Sequence, residues 1–205
     1  MAKARPIPEL GEDDAFAAAA AKIVATRARE LADEAAGVLD VDDIERVHDM
    51  RVATRRLRAA LEVFEPCFSK RRFRATLKEV KALADALGER RDRDVTIAAL
   101  TDFESEIGAP DRPGIRNLTE RLRHEQAKAN EGLAPYVTRA RVTALRERLD
   151  ELVAEAEGTI PATSSVSPTG VPGPREGSDV GTVRPVPEAP TDPDVRAVTN
   201  GGEPR

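Results

Sequence analysis

The stretch V-H-D-M-R-V-A-T-R-R-L-R-A-A-L-E-V-F, from Val47 to Phe64, decides the fold. Val47, Met50, Leu57, Leu61 and Phe64 recur at three- and four-residue steps, the apolar stripe of an amphipathic helix. His48, Arg51, Arg55 and Arg58 recur at the same steps, displaced around the axis. At 100° per residue these four fall within an arc of roughly 80° and extend about 15 Å along the helix. A row of guanidinium groups with one imidazole beside a core seam suits an extended, multiply charged anion. It suits a small neutral substrate poorly.

Working outward, the helical pattern holds almost to Gly158. A first helix is expected from about Glu12 to Leu39, with Glu12, Asp13 and Asp14 where the helix dipole favours negative charge. The second starts after Val41, capped by Asp42 or Asp43, and stops at Pro66. The third begins after Ser69 and ends at Gly88, a C′ glycine. The fourth runs from near Asp92, with Asp92 and Asp94 as caps or ion-pair partners, to Ile107. The fifth spans about Pro113 to Glu131, and the sixth runs from near Pro135 to Glu157. The third helix repeats the logic of the second. Phe73, Leu77, Val80 and Leu87 make its apolar side, while Arg71, Arg74, Lys78 and Lys81 share another arc of roughly 80°. Two such helices side by side form the walls of one basic groove. Arg offers planar bidentate donors to phosphate oxygens and Lys a mobile point charge. The expected fold is all-α, an antiparallel bundle of about six helices over residues 10–157.

Composition agrees. The 205 residues include no Trp, one Tyr and five Phe, so the core is aliphatic. Beyond Gly158 come nine prolines with Gly, Ser and Thr between them. Such a segment lacks the apolar content to bury itself, and residues 158–205 are expected to form a disordered tail. The net charge of −5 argues against a protein that coats nucleic acid. It hides an asymmetry. From Arg46 to Arg93 there are 14 Lys and Arg against 7 Asp and Glu; from Glu9 to Glu45 there are 3 against 11. A basic strip within an acidic protein implies a confined anion site.

The segment His48–Phe64, followed by V-K-A-L-A-D-A-L-G-E-R-R-D-R-D-V at Val80–Val95, resembles the CHAD domain, the conserved histidine α-helical domain. Members share an H-x-M-R-V-x-x-R-R-L-R-x-x-L-x-x-F helix and an L-K-x-L-A-x-x-L-G-x-x-R-D-x-D-V segment. The resemblance covers roughly residues 10–157. It implies binding of inorganic polyphosphate, with His48, Arg51, Arg55, Arg58, Lys81 and Arg91 at the family's anion-binding positions. Arg74 and Lys78 join them from the arc on the third helix. Relatives usually carry two similar helical halves facing each other across a basic cavity. The Pro-rich segment stands where the second half would be, which makes a homodimer the simplest replacement, one that polyphosphate would draw together.

No catalytic residue, metal ligand or cofactor is expected. His48-Asp49 is similar to the doublet of metal phosphohydrolases, but only His124, read as an exposed helix residue, remains to complete such a set. The string Glu104–Gly108 lacks the Lys of a triphosphatase E-x-E-x-K signature, and no Gly-rich phosphate loop occurs. Cys67, the single cysteine, reads as a small core residue. No signal peptide or membrane span is evident, so no membrane partner is expected and the cytoplasm is the expected compartment. A degenerate protein-interaction module and a nucleic-acid binder are the rival functions. The latter is disfavoured by the scarcity of stacking aromatics.

Overall fold

The apolar stripe of Val47–Phe64 is the buried side of a helix. Val47, Met50, Leu57 and Leu61 are fully excluded from solvent and Phe64 nearly so. The computed structural model describes residues 3–158. These form α1 (Phe16–Glu34), α2 (Ile44–Val63), α3 (Lys70–Glu106), α4 (Arg112–Val137) and α5 (Arg139–Gly158), with a 3-10 turn at Glu65–Cys67. No strand occurs among the described residues.

The first half of α3 closes a four-helix bundle with α1, α2 and α5. Ion pairs fix the directions. Lys81 to Glu62 and Arg91 to Glu45 set α3 antiparallel to α2. Arg72 to Glu155, and Arg141 and Arg148 to Glu79, set α5 antiparallel to α3. The core is aliphatic, as composition requires: Val24, Leu31, Val47, Met50, Leu57, Leu61, Val80, Leu87, Leu149 and Leu152 are all buried. Each such side chain contributes about 1.5–3 kcal/mol by leaving water. Cys67 is half-buried against this core, and burial pushes its thiol up from the ordinary value. Between α1 and α2, Gly37 has φ +74°, and the Arg46 side chain lies 3.2 Å from where a Cβ would stand. Both facts favour glycine at that turn.

The first helix is shorter than expected, Phe16–Glu34, so Glu12, Asp13 and Asp14 lie ahead of its first turn, and two further boundaries are corrected. The third and fourth predicted helices are one, the 37-residue α3, so the described residues form five helices. Gly88 lies inside it and not at a C-terminus. A helix-interior glycine costs about 1 kcal/mol relative to alanine. The burial of Val80, Leu83 and Leu87 just before it, and the absence of proline until Pro110, outweigh that cost. Asp92 and Asp94 are therefore mid-helix residues and cap nothing. The second correction concerns Pro135, expected to open a helix. It sits in the last turn of α4, which ends two residues later. Thr138, in an extended conformation, then begins α5, its hydroxyl accepting from the Arg141 N–H at 3.3 Å.

Beyond the bundle, α3 and α4 continue as an antiparallel hairpin in which Thr119 is the one buried residue between Val95 and Glu125. The expected tail lies outside the described residues except for Gly158, which closes α5. None of the described helices is long and apolar enough to cross a membrane.

Candidate functional site

Burying Met50, Ala53, Thr54, Leu57 and Leu61 turns the opposite side of α2 to solvent, and Arg51, Arg55 and Arg58 stand there, all exposed. The antiparallel α3 runs beside that row. At one end Lys81 meets Glu62 at 3.5 Å; at the other, Arg91 Nη1 donates to the Ile44 carbonyl at 3.0 Å. Between these ties lies an open groove of about 640 Å³. Arg51, Arg55 and Arg58 line its α2 side, and Asp85, Glu89 and Asp92 its α3 side. Small residues Ala59, Ala84 and Gly88 complete the lining. A Cβ at Gly88 would meet nothing within 4 Å, so open space adjoins α3 at that point.

A second groove of about 420 Å³ adjoins the first, sharing Asp85, and is lined by Arg74, Lys78 and Lys81. Six of the eight expected residues thus line two adjoining grooves. His48 and Arg91 line neither. His48 is half-buried one turn before Arg51 and makes no hydrogen bond or ion pair among the described residues. Arg91 is largely buried and turned toward the first turn of α2, where it also meets Glu45 at 3.6 Å.

The groove is not the pair of basic walls that the two arcs predict. Along Arg51–Arg58 it has one basic and one acidic wall. Only where Lys81, Lys78 and Arg74 take over does the α3 side become basic. The two signs do not neutralise each other. Arg51, Arg55, Asp85, Glu89 and Asp92 have no side-chain hydrogen bond and no ion pair within 4 Å among the described residues, and the same holds for Arg74 and Lys78. Pairing occurs at the junction alone, where Arg58 donates to Glu62 at 3.0 Å and Lys81 lies nearby. The Arg58 hydrogen bond, with a smaller contribution from Lys81, holds the Glu62 carboxyl below its usual range. Opposite charges therefore face each other across a gap wide enough to keep them apart.

Another feature escaped the sequence. Arg90 and Asp94 are almost wholly buried, Nη2 to Oδ1 at 3.2 Å, and Gln126 Nε2 donates to the same carboxylate oxygen at 2.6 Å. Burial pushes the Asp94 carboxyl up and the Arg90 guanidinium down, although Asp94 and Asp40 favour its charged form. Arg90 Nε, Nη1 and Nη2 and Asp94 Oδ2 lack hydrogen-bond partners. A signal existed. Phe73, Thr76, Val80, Leu83 and Leu87 alternate three- and four-residue steps, and Arg90 and Asp94 continue the series into the core. This pair ties α3 to α4 and reaches no groove.

A groove of about 510 Å³ between α3 and α4 carries Glu89, Arg93, Glu125, Lys128 and Tyr136. Arg93 and Glu125 approach to 4.0 Å there, and no row of one sign forms. Among the described residues no group of three or more His, Cys, Asp or Glu is placed to hold a metal ion, and His124 is exposed on α4.

No curated protein and no solved structure matches the chain. The family model of the CHAD domain does match, over residues 22–175. That match takes in α2, with its arginine row, and the whole of α3, and it spans three quarters of the sequence, so the chain belongs to the CHAD domain family.

Proposed function

We propose that the protein binds inorganic polyphosphate, or a similar linear polyanion, without transforming it. One observation carries the reading. Arg51, Arg55, Arg74 and Lys78 line two adjoining grooves and have no side-chain partner among the described residues, although carboxylates share those grooves. Partnerless cations in a concave surface attract an external anion. Arg58 and Lys81, which share Glu62, link the two halves of the row. A chain of phosphates laid along α2 from Arg51 to Arg58 and across to Lys81, Lys78 and Arg74 meets a cation at each step. A charge-assisted hydrogen bond of this kind is worth about 1.5–3 kcal/mol where water is partly excluded, and far less on an open surface. Family membership supports the reading through the polyphosphate binding that the resemblance implies.

Within this proposal Arg91 holds the first turn of α2 and does not contact the anion. The test is the combined replacement of Arg51, Arg55 and Arg58 by Ala. These side chains lie off the apolar stripe, so helicity by circular dichroism is expected to stay near that of the parent. Affinity for labelled long-chain polyphosphate is expected to fall at least tenfold in the same sample. Unchanged affinity in a folded variant would falsify the site. A groove with one wall of each sign also suits a helix of a partner protein. That second reading remains if the parent protein binds no polyanion at all.

A further inference from the structure

We propose that Asp85, Glu89 and Asp92 are specificity-determining residues: the acidic wall admits a single phosphate chain to the groove and rejects a nucleic-acid duplex. The inference rests on the reading of the groove as a linear-polyanion site. Two facts about the acidic wall extend it. First, the three carboxylates occupy the wall opposite the arginine row and line the same cavity. Second, among the described residues their side chains have no partner that would explain their presence as structural ion pairs. At steps of four and three residues along an unbroken α3 they share an arc of roughly 60°.

Spacing supplies the discrimination. Packed helices stand about 8–10 Å apart, so the lines of charge on the two walls are separated by a comparable distance. A polyphosphate has one line of charge. It can follow the α2 row, stay clear of the opposite wall, and cross to α3 only past Asp85, where Lys81, Lys78 and Arg74 replace the carboxylates. A duplex has two phosphate lines, about 6 or 12 Å apart across its minor and major grooves. Seating one on Arg51 and Arg55 brings the other over Asp85, Glu89 and Asp92. Like charges forced together across a partly desolvated groove penalise the wrong partner and leave the right one little affected. The acidic wall costs some attraction for every anion, and its benefit is the difference between them.

The experiment compares three full-length proteins: the parent, the variant Asp85→Asn/Glu89→Gln/Asp92→Asn, and a control variant Asp102→Asn/Glu106→Gln/Glu131→Gln. The control removes the same formal charge from exposed positions outside the groove. Each is titrated with long-chain polyphosphate and with a random-sequence DNA duplex at matched total phosphate, after circular dichroism has shown that helicity is retained. The wall variant is expected to gain at least tenfold more affinity for duplex than for polyphosphate, and the control to raise both by similar factors. Equal gains for both ligands in the wall variant, or a control that matches it, would overturn the proposal while leaving polyphosphate binding in place. If the parent binds no polyphosphate but the wall variant alone gains duplex affinity, the wall still excludes duplex and the polyphosphate reading fails. If neither occurs, both fail.

Discussion

Arg90 carries a guanidinium into the interior with one carboxylate beside it and three nitrogens lacking hydrogen bonds. Burying a charge is costly, and the attraction to Asp94 offsets the cost only while both partners remain. Replacing Arg90 by Leu strands Asp94, and is expected to lower the unfolding free energy by about 3–5 kcal/mol. Replacing both Arg90 and Asp94 by Leu removes both charges from the core and is expected to cost less than the single change. Gln126, half-exposed, can then turn to water. Urea unfolding of the three proteins measures this; a double variant at least as unstable as the single one would show that the pair is a net source of stability. The pair was hidden because the charge cluster at Glu89–Asp94 reads as a turn once Gly88 is taken for a stop. In a continuous helix the same residues fall on the core stripe.

Among the elements, α2 was the most readable, although it ends at Val63, before the 3-10 turn that holds Pro66, and Asp43 makes no side-chain capping hydrogen bond. Its stripe is regular, and Pro66 keeps it from continuing by removing a donor and fixing a backbone angle. α3 was less so, because glycine is a graded signal. It costs a helix about 1 kcal/mol, and whether it stops one depends on what the neighbouring turns bury. Here they bury Leu83 and Leu87 on one side and Arg90 and Asp94 on the other. Glycine is therefore a residual weakness in α3, with open space where a methyl would stand. Gly88→Ala is expected to raise stability by about 0.5–1 kcal/mol, read as a higher urea midpoint with an unchanged slope. A destabilised variant would mean that the helix is kinked or strained at this position. Pro135 misled in the same way: a proline marks the neighbourhood of a helix end, and here the end lies after it, at Val137.

At the scale of the molecule, a basic strip lies within a protein of net charge −5, and the candidate site follows from how the helices place that strip. The arginine row was legible because its residues lie on one uninterrupted helix. The opposing wall was not, since Asp85 and Asp92 stand on either side of Gly88 and align only when α3 runs through it. This arrangement has a consequence for salt. Each phosphate neutralised by Lys or Arg releases a condensed counterion, and for a single-stranded polyanion log affinity falls by about 0.7 per contact for each unit of log salt. Contacts at Arg51, Arg55, Arg58, Arg74, Lys78 and Lys81 give an expected slope of about −4. Two features reduce it. Arg58 and Lys81 already share Glu62, so their net contribution is smaller. The protein's overall negative charge also repels the polyanion at low salt, and screening relieves that repulsion once the Debye length falls to about 10 Å near 0.1 M. The expected plot is therefore curved: shallow at low salt, where release of counterions and relief of repulsion oppose each other, and steeper toward physiological salt, where the groove contacts dominate. Fluorescence titration of polyphosphate across that range tests it. A flat line throughout would mean that phosphate neutralisation does not drive binding, and that the row on α2 is a solvated helix face.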